Sequence, residues 1–239
     1  MRHKLSIFIS FLGLTLFAAL APYQENEAPV VKIFVPQRND GVSLDEWIPY
    51  RITITDMEDG NSEYDEITAN DVVLAVQYLP DSSQVAKYLH DGESIDLDVL
   101  SWMGSSNCFT CHSAKDKLIG PSFSQIADRY NNRTDALQYL ARKITNGTTG
   151  TWGNQIMPAQ PDLKPDEVKM VLGWILKNSS RPDFNYVSGI EGVFRTPKKI
   201  EGKEGKGVFL LMAQYIDHGL ENVPESSKKG NDTIVLQVR

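Results

Sequence analysis

The chain has 239 residues, 41% of them hydrophobic, and a formal net charge of −7. That length allows one large or two small domains with buried cores. The charge lies in residues 22 to 95, while the rest is close to neutral, and with no basic stripe to meet phosphates the chain is not read as a nucleic-acid binder.

The chain opens Met1-Arg2-His3-Lys4 and then runs from Leu5 to Ala21 without a charge, a positive segment followed by an apolar one of secretory type. Residues 1–21 are therefore expected to be a signal peptide, with Ala19-Leu20-Ala21 as a small-x-small cleavage site; Pro22 is a poor residue just after a cut. Uncleaved, the segment would be an N-terminal anchor at the short limit for crossing a bilayer, the one way this chain would meet a membrane. Export predicts a periplasmic or cell-surface protein.

From Pro29 to Pro80 the pattern is strand-like. Val30 to Val35, Tyr50 to Ile54 and Val72 to Tyr78 are rich in β-branched and aromatic residues and are bounded by Pro, Gly, Asn or Asp. Three or four antiparallel strands are expected. The acidic segment Asp56 to Glu66 reads as a solvated loop, with Ca²⁺ binding as the other reading.

Residues 96–180 change to helical spacing. Helices are expected over Asp96 to Met103, Ser122 to Tyr130, Thr134 to Thr145 and Pro165 to Asn178; in the last, Val168, Val171, Leu172, Ile175 and Leu176 share one face. Pro165 suits the first helical position, and Asp166 and Glu167 complement the positive end of the helix dipole. Within this region Cys108-Phe109-Thr110-Cys111-His112 has the C-x-x-C-H spacing that attaches a c-type haem. The two thiols can each add to a porphyrin vinyl group, and the adjoining His is then an axial ligand. A redox disulfide would want a βαβ context, and a zinc site would need further Cys or His nearby, whereas the other histidines are His3, His90 and His218. The second axial candidate is Met157, in the Gly- and Pro-rich stretch from Gly150 to Pro161, which shows neither helical nor strand period. Met170 and Met212 fall in regular elements and read as packing.

After Gly207 the strand pattern returns, with Val208 to Ile216, a turn at Asp217-His218-Gly219, a polar loop from Glu221 to Asn231 and a last strand from Thr233 to Val238. Two strands cannot form a stable sheet alone. The economical arrangement is a multidomain α + β chain with residues 22–95 and 181–239 completing one antiparallel β-sandwich and the helical unit inserted between them. The alternative is two modules, with a β-tail packed on the helical one.

Residues 96–180 resemble a small class I bacterial cytochrome c of the c-551/c-552 type. The resemblance rests on Cys108-x-x-Cys111-His112, Ile119-Gly120-Pro121-Ser122-Phe123, Ile126-Ala127-x-x-Tyr130, Ile144-x-Asn146-Gly147, Gly150-x-Trp152-Gly153, Met157-Pro158-Ala159 and Trp174-Ile175-Leu176, in that order. It implies one covalently attached haem c with His112 and Met157 on the iron. It further implies that the Pro121 carbonyl accepts the ring N–H of His112, that Trp152 and Lys143 meet haem propionates, and that Asn154 steadies the Met157 sulfur. The flanks resemble a PKD-type or Ig-like sandwich of exported bacterial proteins, similar to cytochrome-bearing parts of quinoprotein sugar dehydrogenases, although no dehydrogenase domain is recognised in the sequence.

A Met/His-ligated iron has no vacant position, so the expected function is one-electron transfer between redox proteins, without catalysis, with a sugar dehydrogenase as one partner the flanks suggest. The other readings are a haem enzyme or gas sensor with a labile Met157, and a glycan- or partner-binding module that carries a cytochrome.

Overall fold

A computed structural model describes residues 25–90, 96–196 and 207–239, so the segment read as a signal peptide lies outside the described residues. Among the described residues, no helix is long and apolar enough to cross a membrane.

Strands β1 (Val30–Val35), β2 (Gly41–Val42), β3 (Trp47–Asp56), β4 (Gly60–Asn61) and β5 (Val73–Leu79) precede helix α1 (Gln84–His90). The helical unit follows as α2 (Leu97–Ser105), α3 (Phe123–Tyr130), α4 (Ala136–Asn146), the hairpin β6 (Thr148–Gly150) and β7 (Gly153–Met157), and α5 (Pro165–Asn178). Strands β8 (Phe184–Ser188), β9 (Glu191–Arg195), β10 (Val208–Ile216) and β11 (Lys229–Val238) close the chain.

Apart from the hairpin β6–β7, the strands form two packed sheets. In the first, β3 pairs with β1 on one side and with β9 and β4 on the other; in the second the order is β2-β11-β10-β5-β8. Both sheets therefore mix strands from before and after the helical unit. The chain leaves the second sheet from β5 and re-enters it at β8, which is antiparallel to β5 from Val73↔Ser188 to Gln77↔Phe184.

Burial follows from this layering. Along β3 the side chains alternate, with Ile48, Tyr50, Ile52 and Ile54 inside and Trp47, Pro49 and Arg51 outside, as a sheet with one solvated face requires. Strand β5 is buried along its whole length and β10 at all but its last residue, because the second sheet is covered on both faces. Leu74, Val76, Tyr78, Phe209 and Leu211 face the first sheet. Val73, Ala75, Val208, Leu210 and Met212 share a second core with Leu100 and Met103 of α2, Phe123 of α3 and Val171, Trp174 and Ile175 of α5. The molecule is thus three layers deep, sheet on sheet on helices.

Several elements depart from the sequence reading. The Gly150 to Pro161 stretch, expected to be irregular, supplies the turn and the second strand of the hairpin β6–β7, which turns through Gly150 and Gly153 at φ of 77° and 101°, values that favour glycine. Strand β11 begins at Lys229, inside the expected polar loop, because β10 is long enough to pair with it from Ile216↔Lys229 to Val208↔Gln237. Strands β8 and β9 and helix α1 had no forecast.

Where the helical unit joins the sheet, polar groups are paired. Gln77 is buried, and its Nε2 donates to Asp183 Oδ2 at 2.9 Å while its Oε1 accepts from Arg181 Nη2 at 2.8 Å. Lys115 Nζ donates to the carbonyls of Ser179 and Arg181, both at 2.7 Å, and so caps the C-terminal end of α5. Burial pulls the Lys115 ammonium down to about 8; Asp128 and Asp183 oppose that pull and Arg181 adds to it.

Leu210, fully buried between β10 and the helices, tests whether sheet and helices share one core. Leu210→Ala should cost about 2–5 kcal/mol, with the sheet and helix signals still melting together in denaturant; separate transitions would contradict a shared core. Lys115 gives a pH signature. From about pH 8 to the ordinary lysine value, the unfolded chain holds a proton that the folded one has released, so this residue makes stability rise with pH. In urea titrations at stepped pH, Lys115→Met should remove that part of the slope.

Candidate functional site

The candidate site is a predominantly apolar cleft within the helical layer. One wall begins where α2 ends. Asn107 takes a left-handed conformation with φ of 58°, and a single 3₁₀ turn over Cys108–Thr110 follows. The amides of Cys111 and His112 both donate to Cys108 O, at 3.3 and 3.1 Å, so both cysteines and His112 belong to one tight turn. Both thiols are unpaired, and both border the cleft.

The backbone beyond the turn folds back over the imidazole. Gly120 N donates to Cys111 O at 2.8 Å, and His112 Nδ1 lies 2.7 Å from Pro121 O. A carbonyl can only accept, so Nδ1 carries the proton and Nε2 keeps its lone pair. The His112 ring packs so closely on Gly120 that a Cβ there would lie 2.5 Å from Cε1. Ser122 then starts α3 with a capping box, its hydroxyl accepting from Gln125 N while Gln125 Oε1 accepts from Ser122 N.

The rest of the cleft is built by α4, the hairpin and α5. Lys143, Trp152 and Met157 line it together with Val168, Val171, Leu172 and Ile175, the apolar face of α5. The guanidinium of Arg129 lies 4.5 Å from the Trp152 ring centroid, and Arg129 Nη1 donates to Thr151 O at 3.1 Å. Gly147, with φ of 73°, lets the end of β7 come close: a Cβ there would lie 2.8 Å from Met157 O. Of the residues singled out in the sequence, Cys108, Cys111, His112, Pro121, Lys143, Trp152 and Met157 all line this cleft. Asn154 does not; it is exposed on β7, and its neighbour Gln155 lines the cleft instead. Ile119 of the Gly-Pro motif also lines it, as does Ile156, which no motif marked.

The electrostatics suit a large apolar prosthetic group held by thioethers and an imidazole. Burial pushes the Cys108 thiol up to about 11, so a free thiolate is disfavoured there. Burial also lowers the His112 pKa, partly opposed by the bond to Pro121, and favours the neutral ring that a metal needs. The glycine against the imidazole and the pinned Nδ1 leave one coordinating nitrogen in a fixed place, so the donors fit a haem.

The acidic segment before β5 has partners within the fold. Asp56 Oδ1 accepts from the amides of Glu58 and Asp59, while Asp59 Oδ2 accepts from Tyr215 Oη at 2.6 Å and from His218 N and Nδ1, both at 2.9 Å. Among the described residues, no group of three or more His, Cys, Asp or Glu side chains is arranged to hold a metal ion.

The family model described as Cytochrome c matches residues 102–179. Cytochrome c-552 of Nitrosomonas europaea is 38% identical over 71 residues, which are 30% of this chain and 69% of the relative. Cytochrome c-552 of Hydrogenobacter thermophilus is 42% identical over 69 residues, 29% of this chain and 69% of the relative. The crystal structure of the Nitrosomonas europaea protein aligns with 34% of this chain and 96% of its own, at 36% identity and a TM-score of 0.31.

Gly120→Ala tests the close approach to His112. Its methyl group must displace the imidazole or the loop, at a cost of about 1–3 kcal/mol. The fraction of purified protein carrying covalent haem should fall relative to the wild type; an unchanged fraction and unchanged stability would show that the ring has room to move.

Proposed function

The chain belongs to the cytochrome c family through residues 102–179, and on that premise we propose how its own residues serve electron transfer. Cys108 and Cys111 would attach the one haem c of this monohaem carrier, and His112 and Met157 would be the residues that bind its iron. When bound, haem c supplies a single iron that takes up and gives back one electron. One observation carries the assignment: a single cleft has the C-x-x-C-H turn, its imidazole tied to Pro121, in one wall, and Met157 in another.

Each residue has a distinct task. Pro121 O holds Nδ1–H of His112, which fixes the ring's orientation and makes it a better donor through Nε2. Met157 would supply the iron's other protein ligand, and a thioether favours the ferrous state relative to a nitrogen ligand. Lys143 and Trp152 are the partners for the propionates, with Arg129 stacked on the indole. Gln155 lines the cleft where Asn154 does not, and it is the amide placed to meet the Met157 sulfur there.

Around this unit we infer one β domain, formed by residues 22–95 and 181–239 and interrupted by the cytochrome at 96–180. Residues 1–21 direct export, so the protein works in the periplasm or at the cell surface. Its partners are redox proteins met through a small transient interface, with an exported sugar dehydrogenase as the donor that the flanking segments suggest.

Carbon monoxide separates this reading from a sensor or haem enzyme. The reduced wild type should leave its absorption spectrum unchanged under the gas, whereas Met157→Ala should bind it readily and show a lower reduction potential. Prompt binding by the wild type would overturn Met157 as a firm ligand.

A further inference from the structure

We propose that Tyr186, a side chain of the sheet layer, is a positioning residue for His112 and acts on it through Phe123. The inference rests on His112 being the axial ligand. Three rings lie in sequence from β8 to the cleft. The imidazole of His112 and the ring of Phe123 have centroids 5.3 Å apart and planes at 30°; Phe123 and Tyr186 follow at 6.0 Å and 28°. Phe109, which stands between the two cysteines, meets both Phe123 and Tyr186 edge-on, at 5.8 Å and 82° and at 6.1 Å and 75°. The attachment turn and the sheet therefore hold the same phenyl ring between them.

Tyr186 can act as a fixed stop because it is itself held on every side. It is 1% exposed, and its hydroxyl is 2.7 Å from Ser179 Oγ at the end of α5. Trp174 meets its ring edge-on at 5.2 Å, and Phe184 packs at 5.5 Å. Phe123, by contrast, has no polar group to anchor it, so its plane is set only by what lies against it. The bond to Pro121 sets the direction of His112 Nδ1 and Gly120 packs on the ring at Cε1, and the remaining tilt of the ring is left to its third contact, Phe123. Phe123, backed by Tyr186, limits the tilt and keeps water away from the imidazole. Solvent beside an axial ligand favours the more highly charged ferric state, so loss of this backing lowers the reduction potential. Aromatic pairs of this kind contribute about 0.5–1.5 kcal/mol beyond their burial, enough to shift the ferric–ferrous equilibrium about two- to tenfold if most of it differs between the two states.

The test uses the whole, haem-loaded protein and four variants. Tyr186→Leu and the longer, unbranched Tyr186→Met remove the flat ring, Tyr186→Phe keeps it and loses only the bond to Ser179, and Phe194→Leu weakens the core between the two sheets, away from the cleft. For each, the reduction potential, the ferric haem absorption and the denaturation midpoint are measured. The expected result is a shift of about two- to tenfold towards the ferric form for Tyr186→Leu and Tyr186→Met, wild-type behaviour for Tyr186→Phe, and for Phe194→Leu a lower denaturation midpoint at unchanged potential. Wild-type potential in both Tyr186→Leu and Tyr186→Met overturns the proposal, as does an equal shift in Phe194→Leu. Should only Tyr186→Phe accumulate, a shifted potential in that variant also overturns it, and an unchanged one supports the ring as the acting group. A wild type without covalent haem or without a His axial ligand fails at a different point: it removes the functional reading and the proposal with it.

Discussion

The second sheet has apolar side chains on both faces, and each face must be covered. The first sheet covers one through Ile48, Ile52 and Ile54; α2, α3 and α5 cover the other through Leu100, Phe123 and Trp174. Burial of both faces of β5 and β10 gives this chain its architecture, because neither the helical unit nor the strand pairs alone would satisfy it. The same requirement explains the order of elements in the chain. The unit that covers the outer face is spliced between β5 and β8, two strands already paired side by side.

The haem cleft is therefore not walled by its own helices alone. Its C-x-x-C-H turn packs against the sheet through Phe109, and Gly104 of α2 lies directly on the backbone of Asn70, in the segment before β5. The pairing of Lys115, Arg181, Asp183 and Gln77 satisfies the polar groups trapped where the two layers meet. Electron transfer is the function of the family; what this chain adds is a sheet that reaches the side of the cleft on which His112 sits.

The parts legible in the sequence are those whose chemistry needs contiguous residues. Cys108, Cys111 and His112 share one turn because they are contiguous, and a carbonyl that meets that imidazole requires a short return loop, which Gly120-Pro121 provides. The β-branched runs at Val30, Ile52, Val72 and Val208 announced strands because packing on a pleated face selects such residues. Strands β8 and β9 stayed hidden. They are short, interrupted by Asn185 and Gly192, and owe their state to partners more than 100 residues away in sequence. The hairpin at Met157 was obscured by the glycines that make it: Gly150 and Gly153 break any hydrophobic period while providing the positive φ that the turn needs. The apolar face of α5 was visible as a face, but sequence spacing could not say that part of it lines the cleft and part packs against the sheet.

The account stands on His112 and Met157 binding the iron of one covalently held haem within this layered fold. The most direct measurement is the absorption spectrum of the exported protein, oxidised and reduced, followed by extraction under conditions that release non-covalent haem. The account predicts one haem per chain that resists extraction, with the ferric charge-transfer band of a thioether ligand and a low-spin ferrous spectrum. Extractable haem, or a high-spin ferric spectrum without that band, would contradict it.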